Sequence, residues 1–375
     1  MVFDFKSLWT SFRTGAHGVL RRHPVELLLA AGLSAALVLC YECDWELDVR
    51  LAAVGWGAVL LLAVNLLTGR TPWRRLYWVA WAPLVPLALW PGFGAWLDSA
   101  RGAITVGLLT PLALLACRRA VANRRFVFDT VILLRAALLA LLFAYVALGL
   151  FQAILWSAAY IFGFGGAAWV EHAAVDTWIV TSTFVVPLLF MMMLDRWERS
   201  EVHGTRILEV LLDWIVSPAV LIYAAILYLY AFKILVTWSL PEGGVAYLVF
   251  GFTSVALAVK ALQELLGRRI YGWFYDRLSL FALPAAVLFW IGTLRRVGEY
   301  GLTEPRVYLV VCGAVMTFCL AIFLSRRTGR YLWVVLFAML LFAAVAYVPA
   351  LEPGRVAVRS QQARAERIAR SLDRL

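Results

Sequence analysis

Runs of about twenty apolar residues, separated by short charged blocks, recur from one end of this 375-residue sequence to the other, and they leave few folds open. A hydrocarbon core about 30 Å thick takes a helix of about 20 residues to cross. Backbone in lipid must satisfy its own hydrogen bonds, so only helices and closed barrels span. Barrel strands alternate apolar and polar residues in segments of about ten, and these runs do not alternate. With 63% hydrophobic and 15% charged residues and a mean hydropathy of +0.84, the chain reads as an all-α integral membrane protein. The expected architecture is a polytopic helical bundle of about eleven transmembrane helices, near 25–41, 51–68, 76–92, 103–117, 137–160, 174–194, 215–238, 244–264, 277–294, 306–324 and 330–349.

Three regions are expected. Residues 1–23 interleave Trp9, Phe12 and Leu20 with Lys6, Arg13, Arg21 and Arg22, the pattern of an interfacial amphipathic helix lying on lipid headgroups. Residues 24–350 form the transmembrane domain. Residues 351–375 form a short amphipathic tail with Ala365, Ile368, Ala369, Leu372 and Leu375 on one helical face. The stretches 196–214 and 266–277 carry Trp and Tyr suited to the interface. Residues 126–135 read as a lead-in to the fifth span, because the combined run is too long for one simple crossing.

A net charge of +11 would suggest nucleic acid in a soluble protein, but here the arginines sit in blocks beside apolar runs. That placement anchors loops to anionic lipid and sets orientation, so the expected partner is the lipid bilayer and nucleic acid is not. With the N-terminus cytoplasmic, the six cytoplasmic segments hold 21 Lys and Arg, and the first four external loops hold two. Those loops carry acid instead: Glu42, Asp44, Glu46, Asp48, Asp98, Glu171 and Glu242. The bias then breaks. The fifth external loop holds Arg295, Arg296 and Arg306, and an extracytoplasmic tail would hold six more arginines.

That fifth loop, LRRVGEYGLTEPRVY over 294–308, has a clear local reading. Gly301 after Tyr300 stops one helix, Thr303 is placed to cap the next, and Pro305 is tolerated in its first turn. Glu304 lies at a helix N-terminus and Arg295 and Arg296 in a last turn, each the sign the helix dipole favours. Arg295 and Glu299 share a face at i, i+4. A self-neutralised hairpin is one reading. The other starts from the cost of charge near hydrocarbon: paired guanidinium forks beside Tyr300 suit the phosphate of an anionic lipid headgroup. Tyr223, Tyr230, Lys233 and Thr237 fall on one face of the seventh span. Lys233 is expected either to snorkel or to pair with Glu299 or Glu304. The candidate polar cluster is therefore Tyr223, Tyr230, Lys233, Arg295, Arg296, Glu299, Tyr300, Glu304 and Arg306.

Other chemistry is thin. Cys40 and Cys43 (CYEC) lack a second ligand pair at zinc spacing. His172 and Asp176 share a face but lack a third metal ligand. GxSxG and HExxH are absent. No catalytic residue, cofactor or metal is assigned.

From about Arg206 to Tyr347 the sequence resembles the bacterial membrane proteins described as domain of unknown function 4153. The likeness rests on Pro218, Tyr223, Tyr230, Lys233, Trp238, Pro241 and Gly243, then on Pro284, Arg296, Glu299, Tyr300, Gly301, Thr303, Glu304 and Arg306. Val307 departs from it, standing where an aromatic often follows the arginine. The resemblance implies a bacterial inner-membrane protein and supplies no activity. The function expected is a non-enzymatic envelope scaffold, sensor or transport component. The alternative is a membrane-embedded transferase using a polyprenyl-phosphate carrier, with carboxylates of the acidic first external loop, Glu42 to Asp48, as base or metal ligands.

Overall fold

The computed structural model describes residues 5–69, 71–163, 167–197, 206–237, 245–325 and 327–372. Trp238, Pro241, Glu242 and Gly243 lie outside them, as does part of the 196–214 stretch. Among the described residues the secondary structure is helical, without strands. Two units are distinguished. The first takes in Met1–Val106, Ala113–Arg118 and Asp129–Glu201, and the second takes in Gly107–Leu112, Arg119–Phe128 and Val202–Leu375.

The first unit opens with α1 (Phe5–Arg22), α2 (Pro24–Glu42) and α3 (Leu51–Thr68). Pro24 divides α1 from α2. A proline disfavours helical backbone in the residue before it, and His23 sits at φ −128°, ψ 47°. Short pieces follow: α4 (Arg74–Tyr77), α5 (Leu84–Leu89) and α6 (Phe93–Leu97). Then come α7 (Ala100–Cys117) and the 39-residue α8 (Asn123–Ile161), of which Gly107–Leu112 and residues 123–128 fall to the second unit, and α9 (Ala168–Trp197), whose Thr181–Val185 is a π-helical stretch. The lead-in expected before the fifth span is continuous with it in α8. The N-terminal helix, expected on lipid headgroups, packs into the first unit. Val19 is fully buried with Leu27 of α2 and Met191 of α9.

Nine helices among the described residues are long and apolar enough to cross a membrane, and a shorter apolar helix spans Tyr331–Tyr347. The expected count of eleven differs at 76–92, which is not one helix. Pro83, Pro86 and Pro91 interrupt it, each removing a backbone donor and clashing with the preceding turn. The pieces still run the length of α3. Tyr77 stands by the start of α2, its hydroxyl accepting from the Val25 N–H at 3.2 Å. Leu84 packs on Gly57 within α3, and at the far end Gly94 lies against Val49, just before α3 begins.

The second unit contains α10 (206–237, π-helical over Leu211–Val216), α11 (Val245–Leu262), α12 (Gly272–Asp276), α13 (Leu278–Phe281), α14 (Leu283–Tyr300), α15 (Glu304–Ile322), α16 (Tyr331–Tyr347) and α17 (Pro353–Leu372). Its core joins Val249 and Phe252 of α11, Phe289 of α14 and Met316 of α15. Hydrocarbon offers helices little hydrophobic drive to associate, so close packing over small residues does more of the work in lipid. Gly313 is such a residue: a Cβ there would lie 2.3 Å from Cε1 of the fully buried Phe289. Gly313→Ala is expected to destabilise the protein by about 1–3 kcal/mol. The check is the thermal midpoint in detergent, and an unchanged midpoint would show that the ring moves aside freely.

Candidate functional site

The hairpin forms where the residues predict it. Gly301 ends α14 at φ +73°, its N–H donating to the Val297 carbonyl at 2.9 Å. Only glycine fits here, because the left-handed φ disfavours a side chain and a Cβ would meet Gln361 Nε2 at 2.9 Å. Thr303 takes the N-cap position of α15 in extended conformation, but its hydroxyl makes no capping hydrogen bond. The charges are partly settled inside the turn. Arg295 Nε meets Glu299 Oε1 at 2.8 Å. Arg306 Nη1 donates to the Gly301 carbonyl at 2.7 Å and lies over the Tyr300 ring at 5.5 Å.

The tail helix α17 straps this turn. Gln361 Nε2 donates to the carbonyls of Tyr300 and Leu302 at 3.1 and 3.2 Å, and the Leu302 N–H donates to Ser360 Oγ at 2.8 Å. These bonds satisfy carbonyls that a helix end leaves open. Arg364 adds a second guanidinium 5.9 Å from the Tyr300 ring centre. The expected apolar face of the tail is not what makes this contact, and Ile368 stays half exposed. Arg296 is half-buried, and among the described residues no carboxylate or carbonyl takes it up. Lys233 is exposed on α10 and, among the described residues, forms no ion pair with Glu299 or Glu304. Tyr223 stacks on Phe252 at 5.7 Å, and Tyr230 packs on the core of the second unit. The tyrosines of the predicted stripe therefore pack against protein, apart from the hairpin charges.

In the first loop Glu42 Oε1 lies 3.0 Å from His172 Nδ1, and Asp48 pairs with Arg50 at 3.1 Å. Cys40 and Cys43 are free thiols. Among the described residues, no three His, Cys, Asp or Glu side chains are placed to hold a metal.

A second polar cluster, in the first unit, was not singled out from sequence. Because Pro24 breaks the helix at His23, the imidazole turns inward, 5% exposed. Its Nε2 lies 3.3 Å from Asp195 Oδ1, and its Nδ1 lies 3.5 Å from Glu26 Oε1. Arg22 reaches the same Asp195 oxygen at 3.3 Å. Asn65 Nδ2 lies 2.8 Å from both the Arg22 carbonyl and Glu26 Oε1, and 3.0 Å from His23 Nδ1. The Tyr77 hydroxyl donates to Glu26 Oε2. Burial alone would lower the imidazole pKa; the hydrogen bonds to Asp195 and then Glu26, with their charges, outweigh it and raise His23 from 6.5 to about 9. Two cavities meet this cluster. One, of about 530 Å³, lies between α1 and α9 and is lined by Thr14, Gly15, Met192, Asp195 and Arg196. The other, of about 450 Å³, is mainly apolar, with Glu26, Leu62, Ser182, Phe190 and Met191 in its wall. The sequence did hold a signal: a carboxylate two residues into an apolar run, the kind that marks a functional position by default.

Comparison with known proteins shows the family of the chain. The family described as domain of unknown function (DUF4153) matches residues 27–374. The chain belongs to this family. The DUF4153 match takes in both the hairpin and the distal members of the buried cluster, Asn65, Tyr77 and Asp195, and reaches well upstream of the 206–347 likeness read from motifs. An uncharacterised protein of Pasteurella multocida (strain Pm70) is 31% identical over 255 residues, which are 67% of this chain and 43% of that relative. The match thus spans less than half of the relative's length. No solved structure matches.

Proposed function

We propose that this chain is a non-enzymatic component of the bacterial inner membrane, serving as envelope scaffold, sensor or transport component, with the hairpin holding an anionic lipid headgroup at Arg296. The observation that carries this reading is the division of labour among the hairpin cations. Arg295 and Arg306 are engaged by Glu299, Gly301 and Tyr300, while the half-buried Arg296 has no such partner among the described residues. A planar fork left free at a helix end suits a phosphate oxygen pair. The N-terminus is cytoplasmic and the C-terminus extracytoplasmic in this reading. The arginine distribution supports that orientation, as does the broken 77–93 segment running the length of α3, which keeps an odd number of crossings.

The transferase alternative has less support, because Asp48 is occupied by Arg50 and Glu42 by His172. The test is binding of phosphatidylglycerol to the detergent-purified chain, followed by native mass spectrometry. Arg296→Ala is expected to weaken binding about tenfold, near the lower end for a hydrogen bond to a charged group. Arg295→Ala should leave it unchanged. Wild-type binding by Arg296→Ala would sink the headgroup assignment.

A further inference from the structure

The buried cluster of the first unit holds more charge than packing calls for. A buried ion pair stabilises little beyond an apolar replacement of the same shape, since desolvation offsets most of the attraction. Arg22, His23, Glu26, Asp195, the Tyr77 phenol and the Asn65 amide nevertheless converge here from five helices and the α1–α2 break, and Asp195 lines one cavity while Glu26 lines the other. We propose that His23, Asp195 and Glu26 form a proton-binding relay that connects the cavity between α1 and α9 with the apolar cavity beside α2. The ligand of this site is a proton. The inference is independent of the hairpin reading.

Charge balance favours the loaded state. With His23 protonated, Arg22 and His23 face Glu26 and Asp195, two cations against two anions, and Tyr77 is neutral. These, with Asn65, are the polar and charged groups that α1, α2, α3, α4 and α9 turn toward the imidazole. Loss of the proton to solvent would leave one uncompensated negative charge in a buried place, which is costly. Transfer within the cluster leaves the balance intact. The Nε2–H stays on Asp195 Oδ1 while the Nδ1 proton passes to Glu26 Oε1, giving a neutral imidazole and a neutral carboxylic acid.

Asn65 is built for both states. Its Nδ2 carries two hydrogens but has three acceptors within reach: the Arg22 carbonyl, Glu26 Oε1 and His23 Nδ1. One hydrogen remains on the Arg22 carbonyl. The other serves Glu26 while the imidazole is protonated at Nδ1, and moves to Nδ1 once that proton has left. The opposite amide orientation would set an oxygen against two oxygens, so the nitrogen position follows from the network. Asp195 opens to one cavity and Glu26 to the other, so an imidazole between them can take a proton at one nitrogen and release one from the other.

The experiment uses the full chain in lipid nanodiscs, with ring-¹⁵N histidine, titrated across the range around pH 9. Of the four histidines, the signal that His23→Gln removes should titrate near pH 9, and its neutral form should carry the proton on Nε2. Asp195→Asn and Glu26→Gln should each weaken proton binding at least about tenfold, the scale of losing one charged partner. Titration near 6.5, or a neutral form protonated on Nδ1, overturns the relay; so does a midpoint that neither substitution moves. Should both variants fail to fold, the wild-type midpoint and tautomer decide the matter alone.

Discussion

Asp195→Ala is expected to destabilise the first unit by about 3–5 kcal/mol, the loss seen when one partner of a buried charged group is removed and the other is left behind. Asp195 is the only carboxylate bonded by both Arg22 and the His23 imidazole in this cluster. Arg22, whose side chain is 42% exposed, can turn to solvent when its partner is lost. His23 cannot, because Pro24 and the α1–α2 break hold it inward at 5% exposure. The unpaired imidazolium then either stays charged in a dry site or gives up its proton and leaves Glu26 uncompensated. Thermal unfolding in detergent, followed by tryptophan fluorescence, reads the difference. A loss below about 1 kcal/mol, the range of an exposed pair, would show that the cluster is solvated and that its burial carries no energy. Asp195→Asn separates charge from shape: it keeps the volume and is expected to lie between wild type and Asp195→Ala.

What could be read in advance follows from the range over which each feature is determined. Helicity and membrane insertion depend on local apolar length, so the long helices match the runs that predict them. The α14–α15 hairpin depends on Gly301 and Pro305 within five positions, and it too was legible, down to the Arg295–Glu299 pair, although the Thr303 hydroxyl makes no capping bond. The strap by Ser360 and Gln361 was not, because a turn carbonyl names no partner some sixty residues away. The broken segment at 77–93 could have been read more closely: three prolines in nine residues cannot sit in one straight helix, and apolar content alone masked them. The buried cluster is the hardest case. Arg22, His23 and Glu26 are neighbours, but Asn65, Tyr77 and Asp195 lie 39 to 172 positions away from their partners. Each taken singly resembles an interfacial polar residue. Their convergence is a property of how α2, α3, α4 and α9 pack, which periodicity does not encode.

The same cluster makes stability depend on pH in a direction that distinguishes it from ordinary acid unfolding. Folding raises the His23 pKa from 6.5 to about 9, so the folded state holds this proton more tightly than the unfolded chain does. Below about pH 6.5 both states carry the proton and the full stabilisation is present. Between there and about pH 9 the unfolded chain has lost it while the folded protein keeps it, and stability falls by about 1.4 kcal/mol per pH unit. Above about pH 9 the contribution is gone, a total on the order of 3 kcal/mol. The thermal midpoint in detergent should therefore drop steadily between pH 6.5 and 9. His23→Gln should flatten this dependence and lie near the high-pH wild-type value throughout. A wild-type curve that is level from 6.5 to 9, or a His23→Gln curve with the same slope, would mean that the imidazole holds no extra proton in the folded protein. The linkage works in both directions: if folding holds the proton by this margin, then removing it must strain the packing of α1, α2 and α9 around it, and that coupling is what a sensor or proton-linked transport component in the membrane requires.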